Sequence, residues 1–168
     1  MSSPVSVEVV RDGDAPRLRE LRLRALAESP EAFAGTAEQE AQLPASHWAE
    51  LARQSADGDH LAIYVAVQGE RWLAMGAGRW FDRDRAIAQL WGMWVDPAMR
   101  GSGLGERLVG HVRHWAAGRG ARFLRLGVVT RDGDATGFYE RLGFVRTGEA
   151  GPMRVDPSRA AHFLVRPI

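Results

Sequence analysis

Apolar residues recur along this chain with two periods, and the switches between them mark its elements. Ser6 to Arg11 (SVEVVR) alternates at the two-residue period of a strand. A turn at Asp12-Gly13-Asp14-Ala15-Pro16 follows. Leu18, Leu21 and Ala25 then fall at three- and four-residue spacing, with Leu23 and Leu26 widening the stripe. This predicts a helix capped by Asp14, with Pro16 in the first turn where proline is tolerated. Arg17, Arg19, Arg22 and Arg24 lie mostly outside the stripe, so a solvated face is expected for them. Ser29 to Leu43 is irregular and acidic, carrying Glu31, Glu38 and Glu40 around Phe33, and a second helix is predicted from Ser46 to Arg53. These segments together predict a helical cap.

Three strand-like runs come next, Leu61 to Gln68, Arg71 to Phe81 and Ala86 to Val95, separated by Gly69-Glu70 and Asp82-Arg83-Asp84-Arg85. Such short polar turns predict an antiparallel meander. The third run stops at Asp96-Pro97 and passes through Arg100-Gly101-Ser102-Gly103-Leu104-Gly105 into a helix whose apolar face is Leu104, Leu108, Val112 and Trp115. Phe123 to Thr130 (FLRLGVVT) is again strand-like. Entered through a helix, it should lie parallel to the run before it. Asp132 or Asp134 can cap a short helix bearing Phe138, Tyr139 and Leu142, which Gly143 stops. Phe144 to Thr147 and Ala161 to Arg166 read as a terminal strand pair, with Gly151-Pro152 and Asp156-Pro157 in the loop between them.

Composition narrows the possibilities. A chain of 168 residues suits one domain, residues 1–168, with its own core, and 45% hydrophobic with 26% charged residues is globular. A net charge of +1 gives no strong pull toward nucleic acid or an anionic membrane, so a small partner is expected. With no cysteine there is no thiol nucleophile, disulfide or cysteine-ligated metal. The start, MSSPVSVEVV, lacks the pattern of a secretory signal, and no stretch approaches the ~20 apolar residues of a membrane span; a cytoplasmic protein is expected. All 22 basic side chains other than histidine are arginine.

Strand, glycine-rich turn, helix is an arrangement with a chemical use. The first N–H groups of a helix have no partner within it, and with the helix dipole they suit a phosphate; glycine lets that phosphate reach the backbone. A P-loop is excluded because it needs a lysine, and a dinucleotide fingerprint opening at Gly101 and Gly103 would need glycine where Glu106 stands.

The order strand, Val-Asp-Pro, Arg-Gly-Ser-Gly-Leu-Gly, helix, strand, and short helix with Phe-Tyr-Glu-Arg-Leu-Gly-Phe resembles the GNAT superfamily of acyl-CoA N-acyltransferases. The resemblance covers nearly the whole chain and is strongest from Met93 to Phe144. It implies an α+β (mixed α/β) fold: a mostly antiparallel twisted sheet of about seven strands flanked by helices, with one parallel β-α-β unit at the coenzyme A site. It implies acetyl-CoA as co-substrate, with no metal. Main-chain N–H groups of Arg100, Gly101, Ser102, Gly103, Leu104, Gly105 and Glu106 would hold the diphosphate. Met93, Trp94 and Val95 would pair with the pantetheine arm, and Asp132 and Phe138 would flank it. Family members often carry asparagine at the position of Asp132, so an ionised Asp132 could accept but not donate there.

Tyr139 is the implied general acid. A thiolate leaving group with a pKa near ~8.5 and a phenol near ~10 are close enough to share or donate a proton. The structural alternative for Tyr139 is a core residue with a backbone partner. A backbone N–H near Met93 or Trp94 would polarise the thioester carbonyl. Gln89, Trp91 and Met93 share one face by the two-residue period, and the strand offers no base. Glu31, Glu38, Glu40, His47 and His60 remain unranked candidates, and the acidic cap tilts the acceptor toward a cation. His111 and His114, one turn apart, are expected on a solvated face rather than at a metal. Most tryptophans should be core, although Trp80 or Trp91 could line an acceptor pocket. The leading function is transfer of an acetyl group to a primary amine, of a small molecule or a peptide, in a ternary complex. The alternatives are a non-catalytic acyl-CoA sensor and a nucleotide-binding interaction domain; a homodimer is also possible.

Overall fold

In the computed structural model, which describes residues 3–168, the chain forms seven strands and five α-helices around one sheet. Met1 and Ser2, the start of the stretch read above for a secretory signal, lie outside the described residues. The strands are β1 (Ser6–Val9), β2 (Leu61–Gln68), β3 (Arg71–Trp80), β4 (Ile87–Val95), β5 (Phe123–Val129), β6 (Val145–Pro152) and β7 (Ala160–Pro167), and they lie side by side in the order β1-β2-β3-β4-β5-β7-β6. Every neighbouring pair is antiparallel except β4 and β5, which run parallel through Ile87–Phe123 to Leu90–Leu126. The mostly antiparallel α+β sheet expected from sequence is the one observed.

Helices α1 (Ala15–Glu28), α2 (Ala37–Ala41) and α3 (Ala45–Asp57) cover one face; α4 (Leu104–Ala117) and α5 (Thr136–Arg141) cover the other. The α4 stripe is buried as its spacing requires, with Leu104, Leu108, Val112 and Trp115 between 0% and 4% exposed. Each such side chain removed from water contributes roughly 1.5–3 kcal/mol. On the other face Leu18, Leu21, Ala25 and Leu26 of α1 pack with Trp48 of α3 against Ile63, Val65, Met75 and Trp94.

Two local readings need correction, and one choice between two residues is decided. Asp14 stands at the N-cap of α1, but its carboxylate accepts from the N–H of Arg11 at 2.9 Å, bracing the preceding turn instead of the helix. Asp134, not Asp132, braces the start of α5, accepting from the N–H of Thr136 at 2.9 Å. Gly151-Pro152 belongs to the end of β6, not to a loop. Because β6 is the sheet's edge, a proline there sacrifices no ladder bond on its outer side.

Candidate active site

Two strands that part leave backbone unpaired. The β4–β5 ladder ends at Leu90–Leu126, and the next residues of β4 are bent by a bulge, Gly92 and Met93 together facing the stretch of β3 around Gly76. Gly92 has φ +65, a conformation that a side chain would strain. The extra residue moves Met93 to the α4 face, where its sulfur crowds the space over Gly76. Met93 therefore does not share a face with Gln89 and Trp91, as the plain two-residue period predicts, while Trp94 joins Trp91 on the α1 side.

Beyond the bulge the N–H of Asp96 donates to Leu73 O on β3 at 2.8 Å. Backbone groups alternate in direction along a strand, so Trp94 also turns its own toward β3, and those of Met93 and Val95 face the side that β5 has left. Trp94 is thus unavailable to a ligand through its backbone, and its indole N–H donates to Glu28 Oε2 at 2.9 Å. Tyr139, Met93, Asp134 and Gly127 are among the residues around the resulting slot, a cavity of about 110 Å³.

The loop after β4 leads to the start of α4. Gly101 and Gly103 have φ +78 and +86, and a Cβ on either would meet nothing within 4 Å, so the loop is left-handed twice and open on its outer side. Gly103 is the N-cap of α4 and no side chain caps that end. The first N–H groups of a 14-residue helix are therefore free of protein caps. Gly105 serves packing: a Cβ there would lie 3.0 Å from the Phe138 ring, so the start of α4 sits directly on α5. Leu104 is buried, Ser102 and Glu106 are exposed, and Asp132 stands exposed in the turn before α5.

The Arg100 guanidinium faces away from the loop mouth. Its Nη2 donates to Glu28 Oε2 at 2.7 Å and to Ser29 Oγ at 3.3 Å, and its Nε to Val95 O at 3.1 Å. Desolvation alone would raise the Glu28 carboxyl, but hydrogen bonds from Ser29, Trp94 and Arg100, with the charge of Arg100, hold it below the usual carboxylate range. This knot joins the end of α1, the end of β4 and the glycine loop.

Tyr139 is buried, and burial pushes its phenol well above the usual tyrosine range. Among the described residues no side chain or backbone group hydrogen-bonds that hydroxyl. Its ring packs edge-on against Phe138 and Phe144, with centroids 5.0 and 5.8 Å apart.

The slot opens on a larger cleft of about 900 Å³ over β4, β5 and β6, and the two share Phe33, Trp91, Gly92 and Gly127. A second cavity of about 540 Å³, between the helical cap and the sheet, adjoins it through Arg22, Arg79 and Trp91. Trp80 and Trp91 line that second cavity, while Trp72 and Trp94 are core. Arg159, from the β6–β7 loop, donates to Phe33 O at 2.9 Å and Glu31 O at 2.6 Å, fastening the cap segment over the cleft.

The acidic cap does not make this cleft acidic. Glu40 is held by Arg22 through two bonds of 2.9 Å, Glu31 lies 3.6 Å from Arg131, and Glu38 is exposed. His47 and His60 line the second cavity, away from the slot. Among the described residues lining the larger cleft, Glu149 is the single carboxylate, against Arg22, Arg79, Arg125 and Arg154. Sequence reading missed all five. Arg22 passed as one of a solvated series, yet its side chain is 12% exposed. A signal did exist for Arg125, a charge in the middle of the apolar strand FLRLGVV. His111 and His114 are exposed on α4, and among the described residues no group of three or more potential ligands is gathered around a metal position.

A parallel pair that parts beside an uncapped, glycine-led helix, inside an otherwise antiparallel sheet, sets this fold apart. The chain matches the acetyltransferase (GNAT) family over residues 22–144. It is 34% identical over 149 residues to glucosamine 6-phosphate N-acetyltransferase 1 of Oryza sativa subsp. japonica, covering 80% of this chain and 84% of that protein. Among solved structures, an acetyltransferase of the GNAT family from Streptococcus pneumoniae superposes with a TM-score of 0.82 at 19% identity, covering 98% of this chain and 99% of that one. The Salmonella typhimurium protein yncA, solved with its cofactor acetyl-CoA, gives 0.75 at 16% identity, covering 98% and 94%. The chain belongs to the acetyltransferase (GNAT) family.

Proposed function

We propose that this protein transfers an acetyl group from acetyl-CoA to a primary amine by direct attack in a ternary complex. The observation that carries this reading is the slot left where β4 and β5 part, which shares Phe33, Trp91, Gly92 and Gly127 with the 900 Å³ cleft, on a strand whose end leads through the glycine loop to the uncapped start of α4. The N–H groups of Gly101, Gly103, Leu104, Gly105 and Glu106 would hold the diphosphate, with Arg100 fixing the loop from behind; those of Arg100 and Ser102, expected from sequence to join them, already donate to Pro97 O at 3.4 Å and Met99 O at 3.3 Å. Met93 and Val95 would bond the two amides of the pantetheine arm as a false strand, and Phe138 and Asp132 would border it. Trp94 acts here as an anchor for Glu28.

The chemistry is a direct exchange. The amine nitrogen bonds to the carbonyl carbon, the C–S bond breaks, and the amine gives up a proton while the sulfur gains one. The N–H of Met93 would polarise the carbonyl oxygen. A phenol with a raised pKa keeps its proton at neutral pH, so Tyr139 serves the departing sulfur as a hydrogen-bond donor more readily than by complete transfer. Cationic surroundings favour the uncharged form of an arriving amine, and Glu149, ion-paired with Arg125 at 2.5 Å, would be the cleft carboxylate to accept its proton, directly or through water.

The test is thiol release from acetyl-CoA across a panel of amines, with initial rates measured while both substrates vary. Intersecting lines support the ternary complex. Saturable coenzyme A binding without turnover on any amine would instead favour an acyl-CoA sensor, and tight ATP or NAD binding in place of coenzyme A a nucleotide-binding domain.

A further inference from the structure

Arg79, Gln89 and Arg125 are lateral neighbours on β3, β4 and β5, so they form one row across the cleft-facing side of the sheet. Trp91 stands two residues further along β4, and Arg22 of α1 lies above it, its Nη1 3.7 Å from where a Gly92 Cβ would be. The row and the bulge are therefore separated by about 10 Å of strand. That distance is spanned by a small molecule and an arginine side chain together.

This ground is rich in donors and poor in acceptors. Among the described residues, six buried side-chain polar atoms have no hydrogen-bond partner, and all six are N–H donors. Three of them, Arg22 Nη1, Arg125 Nε and Trp91 Nε1, belong to residues lining this one cleft. Arg125 is pressed between the rings of Phe81 and Phe163 at 4.5 and 4.2 Å, and Arg22 lies over Phe33 at 4.8 Å, so both guanidinium groups are held in fixed orientations. Arg79 stacks over Trp91 at 5.4 Å, and among the described residues no carboxylate lies within ion-pair distance of it. The carboxylates Glu40 and Glu149 answer Arg22 and Arg125, so among the described residues of the cleft the positive charges of Arg79 and Arg154 are left over.

Arginine offers paired N–H groups suited to carboxylate and phosphate. We infer that the acceptor is a small amine that also carries an oxyanion, a phosphate or a carboxylate, held by Arg79 with Arg22 and Arg125 while its amino group reaches the slot at Gly92. This rests on the acyltransferase reading and narrows its substrate class. The oxyanion could belong to an amino-sugar phosphate or to an amino acid, and both present the same acceptor oxygens.

The experiment has a catalytic arm and a binding arm. In the first, kcat/KM is compared for glucosamine 6-phosphate against glucosamine, and for amino acids against their amides. In the second, calorimetry measures binding of the same four classes with coenzyme A saturating, so that the diphosphate loop is occupied. The anionic member of at least one pair should exceed its neutral counterpart by about 10- to 100-fold in both arms. In Arg79→Gln, a substitution that breaks no ion pair, that ratio should collapse toward unity while circular dichroism stays native. The pair that shows the preference identifies the source of the oxyanion. Equal or better use of the neutral amines, or a preference that survives in both Arg79→Gln and Arg125→Gln, overturns the inference and leaves the acyltransferase reading intact. Anion-selective binding that Arg79→Gln abolishes, with no acetyl transfer, upholds the inference and removes the acyltransferase reading.

Discussion

Replacing Gly103 by alanine isolates the role of the loop. At φ +86 an alanine costs about 1–2 kcal/mol of fold stability, because its Cβ crowds the following carbonyl. In a chain of this length that lowers Tm by about 2–8 °C. The new methyl meets nothing within 4 Å, so no further packing cost arises in the free protein. If a diphosphate approaches this bend, the methyl displaces it from N–H donors, and a hydrogen bond to a charged acceptor is worth about 1.5–3 kcal/mol. Coenzyme A affinity should then fall roughly 10- to 100-fold. Gly13→Ala is the matched control: φ is +90, its Cβ is equally unobstructed, and it lies in the turn between β1 and α1. Both variants should lose similar Tm in a thermal melt, whereas only Gly103→Ala should lose affinity by calorimetry. A Gly103→Ala protein that binds coenzyme A within about twofold of wild type, despite the expected fall in Tm, would refute phosphate capture by this loop.

Tyr139→Phe should lower kcat by about 10²-fold or more while leaving the coenzyme A Kd unchanged, and equal losses in both would remove the acid role. The same substitution bears on alkaline stability. The folded phenol has a raised pKa, so its contribution is complete below the unfolded value of 10.0 and is lost as pH climbs past it. Wild-type stability should drop there by up to ~1.4 kcal/mol per pH unit more than that of Tyr139→Phe, read from melts at pH 9 to 11. For Glu28 the sign reverses: its folded pKa is depressed, so its stabilisation is present above the ordinary value of 4.5 and fades as pH falls below it. Glu28→Gln should flatten that acid-side loss and weaken coenzyme A binding by freeing Arg100, whereas unchanged affinity would mean that Arg100 does not need this anchor. Glu149→Gln should lower kcat by about 10²-fold or more while leaving the coenzyme A Kd unchanged, and an unchanged kcat would exclude Glu149 as the proton acceptor.

Much of the cofactor side was legible in the chain itself, because its signals are local. A three-and-four spacing from Leu104 to Trp115 dictates which side of a helix is buried, and glycines at 101 and 103 permit the two left-handed residues that turn the strand into it. Both depend on residues a few positions apart. The bulge at Gly92 was not legible, since one additional residue in a strand leaves the composition unchanged and shows only against the β3 ladder; it alone sent Met93 to the opposite face.

The acceptor side was decided by tertiary structure for the same reason on a larger scale. Arg22, Arg79 and Arg125 are 57 and 46 residues apart in the chain, and they meet because β3, β4 and β5 align in register beneath α1. In sequence Arg22 is one of a series of helical arginines and Glu40 one of several acidic cap residues. Only their pairing across 18 residues shows that the charge of Glu40 is matched within the protein and that the cleft is left positive. Periodicity and backbone conformation are properties of neighbours along the chain, so sequence determined them; the charge of a cavity is a sum over walls that only folding assembles.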